Sequence, residues 1–494
     1  MVNGKSKLPT GQASLKNEIE TLREDCLSPT RKWGRSTQIW IGCLLIVMAW
    51  GLYCYIHQLR HGLGVTAMRD YVSWGLYIST FIFFIGISHS GTLVSAILRI
   101  TRQEWRRPIT RSAELLTFVS LIFGGILPII DLGRPDRITN IVIFGRVQSP
   151  LIWDVISICT YLAGSTIFLF LPMIPDMALC RDRLTVCDSR FKKFRKWLYT
   201  KMALGWKGTK SQWHRLEWSM TIMTIVIIPV AVSVHTVVSY IFAMTLRPGW
   251  NSTVFGPYFV TGALYSGSAC VILGMAAFRK MYHLEKYITL KHFNLMGQVE
   301  LVLTLIYAYL NLNEYWIPAY KMATAEGHLL TDLFYGSYSI AFWTCQIGTV
   351  MVPLIIMAFP KGRTITMLTI TCIIIVSGAW VKRYLIVVPT LLHPFMPIQE
   401  VPGTWSTYFP NYVEFSITAG CLAGIFFFIT LFSKLFPMMA VWEVEEGIKI
   451  EYDKQAAIEI RKQREAEEAQ LIGEQSGTGN ETITGMYPRE SPGP

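Results

Sequence analysis

The stretch WGLYISTFIFFIGISHSGTLVSAILR, residues 74–99, stays apolar for the length of a bilayer crossing and then ends on a cation. A hydrocarbon core about 30 Å thick needs about 20 predominantly apolar helical residues, because lipid offers the backbone no hydrogen-bond partner. Residues 76–98 meet that length, so the stretch predicts a membrane-spanning helix with one ionisable side chain, His89, inside it.

Comparable runs recur at 37–57, 113–133, 152–174, 217–244, 255–278, 293–311, 334–359, 364–388 and 412–433. The chain has 494 residues, 52% of them hydrophobic and 16% charged, with a mean hydropathy of +0.37. That balance excludes an ordinary soluble domain and predicts an all-α, polytopic membrane protein of about ten transmembrane helices.

Lys and Arg number 29 in the connections at 1–36, 99–111, 181–215, 279–291 and 361–363, against seven in the alternate connections. Positive loops are retained on the cytoplasmic side, so both termini are expected there, in a multi-pass protein of the cell inner (cytoplasmic) membrane. The net charge of +12 then follows from topology and from attraction to anionic headgroups, and gives no ground for nucleic-acid binding. The basic segment 183–210 is expected to lie along the inner headgroups as an amphipathic stretch.

Three regions follow: a cytoplasmic arm 1–36, a transmembrane domain 37–438 and a tail 439–494. No small-residue cleavage site follows the arm, so the first span is expected to stay as an anchor. The tail opens as a charged helix, VWEVEEGIKIEYDKQAAIEIRKQREAEEAQL, and closes in the polar GEQSGTGNETITGMYPRESPGP, expected to be disordered. Ten cysteines are scattered without a C-x-x-C or C-x-x-C-H pattern, so they read as packing residues. Neither covalent haem nor an iron–sulfur cluster is expected in this chain.

A faint repeat sets Arg99 against Arg279, 180 residues apart, and Ile109-Thr110 against Ile288-Thr289. It predicts two four-helix bundles, spans two to five and six to nine, flanked by spans one and ten.

An ionisable group inside a span costs several kcal/mol unless paired or hydrated, which makes it a candidate site residue. His89 lies about 13 residues, roughly 20 Å, from the outer end of span two. Ser88, Ser90 and Gly91 around it would let another helix or a ligand come close, so it is either a packing histidine bound to a carbonyl or a functional one. Asp131 ends span three beside Pro128, Gly133 and Pro135; it is either solvated or paired with Arg134, or it holds a polar ligand against freed backbone groups. Asp154 opens span four, where favourable interaction with the helix dipole competes with a functional role. His235, in the outer half of span five, has no charged neighbour in sequence, so its partner must come from another helix.

In the second half, Glu300 is about eight residues, roughly 12 Å, from the inner end of span seven. Gln346 lies mid-span in helix eight, and Asn311, Asn313 and Glu314 stand at the outer end of span seven. Lys382 and Arg383, near the outer end of span nine, are most simply read as snorkelling to the interface. Two lines result: Asp131, Asp154, His235 and His89 in the first bundle, and Glu300 with Gln346 deeper in the second. Such steps suit a quinol site that must accept protons, or a proton path.

The block 74–114, followed by DLGRPDR (131–137) and SPLIWDVIS (149–157), resembles the NrfD/polysulfide-reductase membrane-subunit family, and more narrowly the ActC-type subunit of alternative complex III. The resemblance covers about residues 37–440. It implies a quinol site near the outer face and no bound cofactor in the membrane subunit. It also implies partners: an iron–sulfur/molybdopterin-like subunit, a multihaem cytochrome c and a second NrfD-like membrane subunit.

Carried over, it places His89 and Asp131 at the head group of a quinol, menaquinol by preference, as hydrogen-bond partners and proton acceptors. Asp154 and His235 adjoin them, while Glu300, Gln346 and Arg383 form a proton route. Two rivals stand beside this reading. A membrane cytochrome b could build at most one bis-histidine haem, from His89 and His235. A secondary transporter would suit ten spans and a repeat, but no Gly/Pro-broken pair of half-helices stands in corresponding positions.

Overall fold

The computed structural model of the chain describes residues 8–31, 33–184, 192–396, 398 and 400–477. Among these, ten helices are long and apolar enough to cross a membrane: Arg35–His61, Leu76–Ile100, Thr110–Asp131, Pro150–Phe170, Lys210–Ala243, Phe255–Met281, Leu290–Lys321, Ser339–Ala358, Ile365–Leu392 and Tyr412–Leu435, here spans one to ten. All ten apolar runs read from the sequence coincide with them.

Spans five and seven begin seven and three residues before their apolar runs. The cause is local chemistry: Thr209 and Thr289 form reciprocal capping boxes with Gln212 and His292. Each cap satisfies backbone donors orphaned by the first turn, so the helix starts where the cap stands and not where hydrophobicity begins.

Span two is the central helix. In its most apolar window 94% of residues are buried, against 17% in spans one and four. It packs against spans three, five, six and nine, while span ten lies along span one. Span four packs on three and five, and span seven on six and eight. Spans one and ten meet backbone to backbone: a Cβ on Gly51 would stand 2.9 Å from the Ser416 carbonyl oxygen and 3.0 Å from the Gly420 Cα. Small residues permit this approach, which in lipid is stabilised by dispersion and not by the hydrophobic effect.

At the end of the molecule carrying most of the basic loops, Arg111 is fully buried and pairs with buried Asp176 at 2.6 Å. Its guanidinium also donates to the carbonyls of Pro172, Pro437 and Met439. Asp176 in turn accepts from the N–H groups of Val441 and Trp442, capping the start of helix Val441–Gly477. Of the pair's polar atoms only Arg111 Nε has no partner, and these shared hydrogen bonds are what make a buried charge tolerable.

Arg23–Trp442 forms one compact unit and holds all ten spans; the chain ends, up to Leu22 and from Glu443, form a second. The arm read as polar chain contains a helix, Leu8–Arg31. The basic segment contains helix Lys192–Met202, on which Phe194 and Trp197 are exposed and stacked on each other; residues 185–191, with Cys187, lie outside the described residues, as does 478–494 of the expected disordered tail.

Candidate functional site

His89 is buried where span two changes winding. Residues Thr92–Ile97 form a π-helical turn, and the Thr92 N–H turns to the His89 carbonyl. The Ser88 carbonyl, released from its usual helical donor, accepts instead from Thr117 at 2.6 Å and Tyr161 at 3.0 Å. Thr117 also takes the Gly91 N–H at 2.8 Å. Hydroxyls from spans three and four thus complete a backbone that the π-turn left open, a device concentrated at functional sites.

Both imidazole nitrogens of His89 face carbonyl oxygens, Nδ1 that of Ile85 at 3.0 Å and Nε2 that of Ala231 at 2.8 Å. A neutral imidazole has one N–H to donate, so only the imidazolium satisfies both contacts. The ring meets His235 edge to face, with centroids 4.3 Å apart. Neither nitrogen of buried His235 has a hydrogen-bond partner among the described residues. The partner expected from another helix is therefore His89 itself, with Phe259 on the other flank.

Asp131 belongs elsewhere. At the end of the spans away from the basic loops, Tyr77 donates to Gln58 Oε1 at 2.8 Å, and Gln58 Nε2 donates to the Ile130 carbonyl at 3.0 Å. Asp131 follows Ile130, its Oδ1 buried and without a partner. Glu414 is within electrostatic reach of both Asp131 and Tyr77. Its own oxygens are held by Tyr408 at 2.5 Å and by the N–H groups of Ala67 and Asn411.

Four helices, spans one, two, three and ten, thus deliver one amide, one phenol and two carboxyls to one cluster. Tyr77 and His89 are twelve residues apart on span two, about 18 Å along the helix, so His89 and Asp131 do not share one contact shell. The alternative pairing of Asp131 with Arg134 is not formed either, because Arg134 binds Asp136. Asp154 is buried with Oδ1 unpartnered, and no hydrogen bond or ring contact joins it to His89, His235 or Asp131 among the described residues.

In the second half Glu300 is fully buried; its Oε2 accepts from Ser268 and its Oε1 has no partner. Beyond it runs a ladder of tyrosines that sequence reasoning missed. Tyr265, within electrostatic reach of Glu300, stacks on Tyr307 at 5.1 Å, and Tyr307 on Tyr258 at 5.5 Å. Tyr258 donates to Asn311 at 3.1 Å, and Asn311 donates to Gln346 at 2.7 Å.

Lys382 and Arg383 do not snorkel. Lys382 is buried, donating to the Tyr315 hydroxyl at 2.6 Å with its ammonium 4.4 Å from that ring. Arg383 lies over Phe259 at 5.1 Å, in the space left by Gly262, where a Cβ would come within 2.9 Å of the guanidinium. Span nine turns these cations inward because phenol and ring faces can receive them there. Arg383 stands within electrostatic reach of His235 on one side and of Tyr258 and Tyr307 on the other. Arg383 thus stands between the two lines of polar residues.

Gln58, Tyr77 and Glu414 also escaped the sequence. Asn411 and Glu414 stand in capping-box spacing, which the structure contains, and that ordinary role masks a second one. Among the described residues no group of three or more His, Cys, Asp or Glu is placed to hold a metal ion.

Ten spans with a buried carboxyl–phenol cluster at one end and a polar ladder inward define a multi-pass membrane protein with polar groups buried between its helices. The family model described as polysulphide reductase, NrfD, matches residues 64–394, and the chain belongs to that family. It is 30% identical over 254 residues to a protein of Halobacterium salinarum described as a candidate membrane subunit of a dimethyl sulfoxide reductase. That match covers 51% of this chain and 54%, about half, of that relative. It is 26% identical over 77% of its length to a selenate reductase subunit of Mesobacillus selenatarsenatis, covering 89% of that protein. With the integral membrane subunit of a menaquinone reductase from Nitratidesulfovibrio vulgaris it shares 22% identity, over 81% of this chain and 91% of the relative.

Proposed function

We propose that the chain is the quinol-interacting membrane subunit of a multi-subunit oxidoreductase, binding the head group of menaquinol or a similar quinol at the Asp131 cluster. The observation that carries this is the buried, unpartnered Asp131 Oδ1 beside Gln58, Tyr77 and Glu414. A quinol needs a hydrogen-bond donor, a proton acceptor and access from lipid. Tyr77 and Gln58 orient the ring oxygens, and Asp131 takes the first proton. Relatives named as subunits of menaquinone and selenate reductases support this class of role.

The finer assignment is to an alternative-complex-III-type assembly of the inner membrane. Both termini are then cytoplasmic, and spans two to five and six to nine act as two bundles. Electrons leave to an iron–sulfur/molybdopterin-like subunit and a multihaem cytochrome c, beside a second NrfD-like subunit. His89 and His235 relay the proton from the first half, while Arg383, Gln346 and Glu300 carry or release it through the second. Asp154 joins the head-group end. In this reading the chain itself carries no haem, and its electrons leave through the partner subunits. Quinol oxidation by the intact complex in an Asp131→Asn variant tests the reading; turnover should fall, and wild-type turnover would refute the site.

A further inference from the structure

Arg195 and Tyr199 fix helix Lys192–Met202 to the end of span ten. The Tyr199 hydroxyl donates to the Leu435 carbonyl at 2.6 Å, and Arg195 donates to the carbonyls of Lys434 at 3.4 Å and Thr30 at 3.0 Å. Leu435 closes span ten, so these two span-ten carbonyls are among the four that a helix leaves without a donor. A guanidinium there also meets the negative end of the helix dipole. With 24 residues, about 36 Å, span ten outlasts a hydrocarbon core of about 30 Å. Its last turn, and the helix pinned to it, therefore stand at headgroup depth.

A second observation gives the same depth: Trp206, Trp213 and Trp442 gather at this end, with centroids 5.0 and 5.4 Å apart, and tryptophan concentrates at membrane–water interfaces. The docked face leaves two others. At about 100° per residue, Lys192, Lys193 and Lys196 fall to one side of Arg195 and Tyr199, and Phe194 and Trp197 to the other. All five are exposed, and the two aromatic rings stack with centroids 6.1 Å apart. From 192 to 210 the chain has seven Lys and Arg and no Asp or Glu, so this segment supplies no carboxylate to neutralise its lysines.

We propose that this helix is a docking surface for anionic phospholipid of the adjoining leaflet, with Phe194 and Trp197 entering the acyl boundary and Lys192, Lys193 and Lys196 meeting phosphate groups. The sequence predicts only that 183–210 lies near headgroups; the docked Arg195–Tyr199 face separates the residues spent on protein from those left for lipid. A helix with a basic face and an aromatic one lies in the plane of the interface, and anionic lipid is what its lysines attract. A soluble protein partner matches the charge but leaves a stacked aromatic pair at headgroup depth unexplained. Neither the location nor the lipid class depends on what the Asp131 cluster binds.

The test places the photoreactive residue benzoyl-phenylalanine at position 194 of the intact complex, reconstituted in nanodiscs of phosphatidylcholine and phosphatidylglycerol, and reads the adducts by mass spectrometry. Phospholipid adducts are expected, with phosphatidylglycerol about fivefold above its share of the bilayer, the effect of one lysine at a charged surface. The excess should vanish in Lys192→Gln/Lys193→Gln/Lys196→Gln, while phosphatidylcholine adducts persist because the aromatic face still enters the bilayer. It should vanish equally at about 1 M salt with the three lysines intact, an arm that needs no lysine variant. An adduct to a partner subunit, or no lipid adduct at all, overturns the proposal. So do lipid adducts at the mixing ratio, or an excess of phosphatidylglycerol that survives both the variant and the salt.

Discussion

His89 and His235 stand ring against ring, centroids 4.3 Å apart and planes at 70°, with both His89 nitrogens on carbonyl oxygens and both His235 nitrogens unpartnered. One added proton on His89 makes a hydrogen bond that the neutral ring lacks. In the proposed reading the pair takes and passes a proton, at a depth where it does not touch a head group held by Asp131.

Replacing His235 by Phe keeps the ring volume and removes the exchangeable nitrogens. The Michaelis constant for quinol should stay within about twofold while turnover falls about a hundredfold, the lower end of the effect of losing an acid–base group. Steady-state kinetics of the intact complex decide it; a raised Michaelis constant at unchanged turnover would put the histidines at the head group instead.

Glu300 is fully buried in the second half, and Ser268 is the hydroxyl that binds it. In proteoliposomes, Glu300→Gln should lower the protons moved per electron while quinol oxidation continues. Ser268→Ala should do so more weakly, because the carboxyl itself is retained. An unchanged ratio in both variants would remove the tyrosine ladder from proton handling.

Arg111→Leu leaves Asp176 buried and unpaired, at a cost of about 3–5 kcal/mol. The double variant Arg111→Leu/Asp176→Leu should recover much of that loss, because no uncompensated charge then remains. Thermal unfolding in detergent measures both; equal losses in the single and double variants would show that backbone capping of residues 437–442, and not charge pairing, is what the two residues supply.

The ten spans were legible in the sequence because bilayer thickness imposes a length on apolar runs, and the structure places a helix on each. The starting residues of spans five and seven were not, since Thr209 and Thr289 set them by capping. The separation of His89 from Asp131 was legible by an available argument: a residue 13 positions into span two is about 20 Å deep, whereas Asp131 closes span three at the surface end. Resemblance grouped residues that depth separates. The inward turn of Lys382 and Arg383 and the cluster around Glu414 were illegible for another reason. In a helix apolar on nearly every face, periodicity carries no rotation, and side-chain direction is decided by neighbours such as Tyr315 and Phe259.

Gly51→Leu forces spans one and ten apart where the Ser416 carbonyl and Gly420 now touch Gly51. Overpacking of this kind costs about 1–3 kcal/mol, so the variant should unfold at lower temperature. Gly42→Leu on the same helix, where a Cβ meets nothing within 4 Å, should not. Equal stability of the two variants would mean that the crossing is not a tight one.

The most direct test of the central claim is quinol oxidation by the intact, assembled complex carrying Asp131→Asn, which keeps the shape of the side chain and removes its ability to accept a proton. The account predicts a fall of about a hundredfold or more in turnover, with the complex still assembled. Turnover at the wild-type rate with quinol binding retained would contradict it.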